Sequence, residues 1–221
     1  MHIGLIGGIG PAATVAYYTA LVAKFKAAGV PLELTIVHAD VGVLIANAGA
    51  EAKDAQAEIF AGHLRQLQGA GCDVASITAL TGHFCFAETE AISPLPLASA
   101  VAPIDQYCAT EGISAVGLLG SPAVLGSRLF GQITAAETLV PAGDLDALGA
   151  AYLEVATTGI CSDATRRMFF EAGRQMVEDQ GADAVLLAGT DLGLAFDGRD
   201  PGYRVIDALD VHVAALLDMA H

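Results

Sequence analysis

Residues 2–13, HIGLIGGIGPAA, and residues 113–124, ISAVGLLGSPAV, share one order of features: a short apolar run, glycines, then a proline. In the first copy, HIGLIG (2–7) reads as a buried strand. PAATVAYYTALVAKFKAAG (11–29) follows as a helix, with Pro11 in the first turn, where a missing N–H costs nothing. LELTIVHAD (32–40) and DVASITAL (73–80) are further strands. Between them EAKDAQAEIFAGHLRQLQGAG (51–71) places Ala57, Phe60, Leu64 and Leu67 on one face of a helix. Continuous apolar strands separated by helices indicate a parallel sheet covered on both faces.

The pattern restarts half a chain later. Gly117-Leu118-Leu119-Gly120 echoes Gly4-Leu5-Ile6-Gly7, TLVPAGD (138–144) echoes TIVHAD (35–40), and GADAVLLAGTD (181–191) echoes GCDVASITALT (71–81). The last echo again follows an amphipathic helix, ATRRMFFEAGRQMVEDQG (164–181). Three echoes in the same order predict an internal duplication. The expected fold is α/β, with two pseudo-symmetric lobes, each a short parallel sheet of about four strands flanked by helices, and a site between the lobes. The expected boundaries are residues 1–97 with a C-terminal helix at 205–221 for lobe 1, and residues 98–204 for lobe 2.

The 221 residues are 54% hydrophobic and 16% charged, which suits a sizeable core and excludes intrinsic disorder. A net charge of −15 with ten Lys plus Arg argues against nucleic acid, because phosphate binding needs clustered cations. Four scattered cysteines, without C-x-x-C spacing, form neither a metal knuckle nor a disulfide framework. The opening residues lack a basic signal-peptide n-region, and no apolar run approaches a membrane span. The expectation is a soluble cytoplasmic protein without membrane or nucleic-acid partners.

The loops after the strands carry the candidate chemistry. GGIGPAAT (7–14) leaves backbone N–H groups at a helix start, a setting for an anion, with Gly8, Gly10 and Thr14 as candidate carboxylate binders. The dinucleotide fingerprint fails at its third position, which is Ala13, although Asp40 ends the second strand where a ribose-binding acid would stand. ALTGHF (79–84) and AGTDL (188–192) each present one threonine, Thr81 and Thr190, at matching strand ends. His83 is the titratable group near neutrality in these loops, hence the candidate acid or base; His38 is a weaker one. Asp191 is a binder or a helix cap, and Cys85, in HFCF, reads as packing.

These motifs resemble those of the aspartate/glutamate racemase superfamily, the cofactor-independent racemases, isomerases and decarboxylases. LIGGIGPAAT (5–14) is close to that family's L-G-G-M-G-P-x-A-T. GCDVASITALTGHF matches G-A-D-x-x-x-x-P-C-N-T-A-H-F, GADAVLLAGTDL matches G-A-D-A-V-I-L-G-C-T-E-L, and YRVIDALDVHV (203–213) resembles the closing P-V-I-D-x-x-x-x-H. The resemblance implies no cofactor, a homodimer, and two cysteines facing the substrate α-carbon from opposite sides, one taking and one returning the proton. Here those cysteine positions align with Ala79 and Gly189, and the asparagine after the first with Leu80. Thr81, His83 and Thr190 remain, Asp191 replaces a glutamate, and Ser121 stands for a threonine.

The expected function is a cofactor-independent isomerase-type enzyme acting on a small carboxylate or amino acid, without ordinary two-cysteine racemisation of Asp or Glu. His83, Thr81 and Thr190 are the expected catalytic residues. Gly8, Gly10, Thr14, Thr81, Ser121, Thr190 and Asp191 are the expected substrate contacts, and Ala79 with Gly189 are expected to leave an enlarged pocket. A non-catalytic carboxylate-binding protein, a lyase or decarboxylase variant, and a nucleotide-dependent enzyme using GGIGP are the alternatives.

Overall fold

The computed structural model describes residues 1–221 and contains two parallel four-stranded sheets. Contacts divide the chain into Met1–Ala100 with His212–His221, and Val101–Val211. The first unit contains β1 (His2–Gly7), α1 (Pro11–Ala28), β2 (Glu33–His38), α2 (Val41–Gly49), α3 (Lys53–Gly69), β3 (Val74–Ile77), α4 (Phe86–Ile92) and β4 (Leu97–Ala98). The second contains α5 (Ala102–Thr110), β5 (Ala115–Gly120), α6 (Pro122–Ser127), β6 (Glu137–Leu139), α7 (Leu145–Thr158), α8 (Asp163–Glu178), β7 (Ala184–Ala188), α9 (Gly193–Phe196) and β8 (Val205–Asp207). Helix α10 (Ala208–Asp218) closes the chain.

The sheet orders are β2-β1-β3-β4 and β6-β5-β7-β8, one topology used twice, as the echoes predict. The central strands β1 and β5 are buried because helices cover both faces, which is why they read as continuous apolar runs. The same small devices recur in both sheets. Asp73 and Asp183, the aspartates of GCD and GAD, accept backbone N–H groups at the start of the neighbouring strand: His2 in the first sheet at 2.7 Å, Ser114 and Ala115 in the second at 2.8 and 3.0 Å. Gly4 and Gly117 admit the covering helix. A Cβ on Gly4 would meet the Leu67 methyls at 2.9 and 3.0 Å, and one on Gly117 would meet Met176 Sδ at 2.9 Å.

Helix α3 buries Ala57, Phe60, Leu64 and Leu67, as its spacing predicts, and adds Gln56 and Ala61. One boundary needs correction. Residues 205–207 are a strand, not the start of a helix; β8 pairs with β7 through Leu186↔Ile206, so the segment up to Val211 groups with the second unit. A three-residue edge strand is too short for alternation to register in sequence. No helix is long and apolar enough to cross a membrane.

Candidate active site

In a parallel sheet the loops after the strand C-termini gather at one edge and carry the chemistry. In the first unit these are the Gly8–Gly10 turn, the start of α2 and the 3₁₀ turn Leu80–Cys85. The glycine turn is held by its own side chain. The Gly8 N–H donates to Thr14 Oγ1 at 2.9 Å, and the Thr14 hydroxyl donates to Gly10 O at 3.3 Å. Two candidate binders therefore satisfy each other: Thr14 closes the turn, and the Gly8 N–H is already used. Gly8 and Gly10 have φ of 88° and 99°, which explains glycine at both. Asp40 is the cap of α2, its Oδ1 accepting from the Gly42 and Val43 N–H groups at 2.7 and 3.3 Å, which occupies that oxygen of the expected ribose-binding acid.

His83 is fully buried, and backbone groups engage both of its ring nitrogens. The Ala100 N–H donates to Nε2 at 2.9 Å, so Nδ1 carries the proton and donates to Ala79 O at 3.1 Å. Burial pushes its pKa down to about 4, the bond to Ala79 opposing. A ring fixed in this way has no nitrogen left for a substrate, and the expected acid–base role gives way to a structural one. His83 ties the turn after β3 to the residues following β4. Beside it lies a second buried imidazole that the sequence left without a role. His212 Nε2 donates to Ser76 Oγ at 3.2 Å, Ser76 passes its own proton to Ala98 O at 2.9 Å, and the Tyr17 hydroxyl donates to His212 Nδ1 at 2.7 Å. Burial, with a smaller contribution from His83, holds His212 down to about 3. Within residues 79–85 only Thr81 is not buried.

The second unit carries its own turn, Thr190–Leu192, after β7. Ala79 and Gly189 are extended residues that each precede a 3₁₀ turn, so they are equivalent positions. Thr190 is thereby the counterpart of Leu80, and Thr81 that of Asp191; the two threonines are one position out of step. Gly189 has φ −155°, which any residue adopts, so glycine is not needed there for backbone freedom. It is needed for space. A Cβ at 189 would collide with the Tyr152 ring, standing 2.7 Å from its hydroxyl and 2.8 Å from Cζ. The expected enlargement of the pocket at Gly189 therefore does not exist: a tyrosine from α7 fills it.

The Tyr152 hydroxyl donates to Asp191 Oδ2 at 3.2 Å, both residues being buried. Burial, then the Asp191 carboxylate, raises the Tyr152 pKa well above that of an ordinary phenol, so the group is a donor and never a base. Asp207, at the end of β8, is pushed up to about 6 by burial, while the Leu209 N–H donating to its Oδ1 at 2.8 Å opposes the shift. Ser121 is the cap of α6, its Oγ accepting from the Val124 N–H at 3.3 Å. All four cysteines have raised pKa values, burial being the leading cause in each, and Cys85 reaches about 11. Thiolate chemistry is thus disfavoured at each of them. No group of three or more His, Cys, Asp or Glu side chains is placed to hold a metal ion.

Sequence reading missed Tyr152 because its partners lie on another element; the only available sign was a glycine after a strand without a turn to explain it. It missed the His212 network because a histidine within an apolar helix gives no indication of what it faces.

Residues 6–216 match the family model described as Asp/Glu/Hydantoin racemase, and the chain belongs to that family. No curated protein sequence matches it. Among solved structures, an aspartate racemase homologue of Pyrococcus horikoshii OT3 superposes with a TM-score of 0.81 at 22% identity, covering 99% of this chain and 98% of that one. A protein of Yersinia pestis provisionally named an Asp/Glu racemase gives 0.82 at 24%, covering 100% and 99%. Picrophilus torridus aspartate racemase gives 0.76 at 21%, covering 100% and 94%.

Proposed function

We propose that this chain is a cofactor-independent enzyme of the Asp/Glu/Hydantoin racemase family that acts on a small carboxylate or amino acid without cysteine chemistry. Tyr152 in the volume of a side chain at 189 is the observation that carries this reading. Where the family resemblance puts the two thiols, the first unit has the methyl group of Ala79 and the second has Gly189 with the Tyr152 phenol in its side-chain space. The phenol's one proton goes to Asp191, and its raised pKa bars transfer of that proton to carbon. By turning its hydroxyl from Asp191 to the substrate it gives a hydrogen bond to charge developing there, and it takes no proton. Thr81 in the first unit and Thr190 in the second are the hydroxyls that each unit offers to a carboxylate. His83 and His212 fix the first-unit turn without touching the substrate.

Racemisation needs a base on each face, and these residues supply none. The test is a screen of amino and hydroxy acids for conversion and for deuterium uptake from D2O, by NMR, with wild type and Tyr152→Phe. Tyr152→Phe keeps the ring that packs on Gly189 and removes the donor. Loss of one such donor is expected to lower kcat by about 100-fold or more with a smaller change in KM. Unchanged kcat in Tyr152→Phe would remove the phenol from the reaction.

A further inference from the structure

Beside the glycine turn of the first unit is a cavity of about 360 Å³, bounded by Ile9, His38, Asp40, Gln56, Ile59 and His63 among others. Ile9 belongs to the turn itself, and His38 packs against it: a Cβ on Gly8 would stand 2.5 Å from His38 Nδ1. The cavity therefore opens beside the Gly8–Gly10 turn and belongs to one unit. Two of its polar atoms are spoken for. Asp40 Oδ1 caps α2, and Gln56 Oε1 accepts from Asn47 Nδ2 at 2.9 Å. His63 Nδ1 is different: it is buried and has no hydrogen-bond partner. A buried polar atom without a partner is rare in native proteins, because leaving it unmade forfeits hydration without return.

We infer that this cavity receives the side arm of the substrate, and that the arm is neutral and hydrogen-bonding, an amide or hydroxyl, with the partner of His63 Nδ1 on it. This deepens the small-carboxylate reading above and rests on it. The walls decide the charge. No lysine or arginine lines the cavity, and Asp40 does. A second carboxylate, as in aspartate or glutamate, would enter a pocket with no cation and a carboxylate already in it, within a chain of net charge −15. Burial and the neighbouring His38 lower the His63 pKa, so a compensating imidazolium is disfavoured too. An amide or hydroxyl both donates and accepts, and so satisfies Nδ1 in either tautomer. Ile9, Ile59 and the ring of Phe60 suit the apolar part of the arm.

Asparagine against aspartate, and glutamine against glutamate, test this at constant shape. The measurement is the Tm of the purified protein with each of the four, in both enantiomers, with glycine as the amino acid that has no arm. The expected result is a rise of about 3 °C or more with asparagine or glutamine and at least tenfold weaker binding of the matching diacid. His63→Leu should abolish the rise. Ile59→Trp, at a half-exposed position that tolerates bulk, should fill the cavity and do the same if His63→Leu fails to fold. A rise with aspartate or glutamate equal to that of its amide, or an amide response kept in both variants, overturns the side-arm assignment. Stabilisation by glycine that asparagine and glutamine do not exceed also overturns it, leaving the carboxylate reading in place. Silence from all the acids, glycine included, overturns both.

Discussion

The Tyr152 ring occupies the volume into which a side chain at Gly189 would project, and its hydroxyl donates to Asp191 two residues further on. Position 189, Asp191 and Tyr152 thus form one packing unit, and none of the three is free to change alone. Gly189→Cys forces either the tyrosine or the end of β7 to move. Overpacking of this kind costs about 1–3 kcal/mol. Tyr152→Leu removes the colliding atoms, so Gly189→Cys should cost less in that background than alone. A double-mutant cycle by urea denaturation measures this, and additive single effects would show that the ring does not hold position 189.

The same packing bears on restoring sulfur. Ala79→Cys with Gly189→Cys places thiols where the family resemblance puts them, yet the second meets Tyr152 and Asp191, which disfavours a thiolate. Racemisation of aspartate by that double variant is expected to remain weak, and to improve only when Tyr152 is also made smaller. Efficient racemisation by the double variant alone, followed by circular dichroism or chiral chromatography, would contradict the placement of the phenol.

Two glycines of β5 should respond differently to alanine. A Cβ on Gly117 meets Met176, at Sδ, Cε and Cβ, mainly the end of a flexible side chain. A Cβ on Gly120 meets the backbone carbonyl of Ala188 at 2.6 Å, on the paired strand β7, and a backbone has no rotamer to change. Gly117→Ala is therefore expected to cost about 1 kcal/mol or less, and Gly120→Ala about 3 kcal/mol or more. Equal costs in chemical denaturation would mean that β5 and β7 are less closely held than the pairing indicates.

How much of this was legible in the chain depended on distance along it. Apolar runs set the strands β1 and β2, Pro11 marked the start of α1, periodicity set the helices α3 and α8, and the echoes set the duplication, because each uses residues within one or two elements. The segment 41–49 is apolar on all sides and shows no helical face, so α2 went unread; β4 and β8 were too short to alternate. His83 looked like chemistry because titratable side chains in strand-end loops usually are exposed, whereas this one is sealed by Ala79 and Ala100, the latter seventeen residues away. Exposure is a tertiary property, and no spacing rule reports it.

Acid should unfold this protein by a route that His83 and His212 set. Both are buried and neutral, with pKa values lowered from 6.5 to about 4 and about 3. The unfolded chain takes up these protons as pH falls through 6.5, while the folded chain refuses them until about 4 and below. Their contribution to stability is therefore fully present above 6.5 and is lost progressively as pH falls from there to about 3, by several kcal/mol in all. His212→Gln should flatten that slope while lowering stability at neutral pH through the broken links to Tyr17 and Ser76. A slope unchanged in His212→Gln, measured as Tm against pH, would place the acid sensitivity elsewhere.

The most direct test is the exchange of the α-proton of aspartate and glutamate in D2O, followed by NMR with the unmodified protein. With alanine at position 79, a neutral phenol in the side-chain space of position 189 and no cation lining the cavity beside the glycine turn, both amino acids are expected to keep their protons over hours. Rapid washout from either enantiomer of aspartate or glutamate would contradict this, because it requires a base at the α-carbon that these residues do not provide.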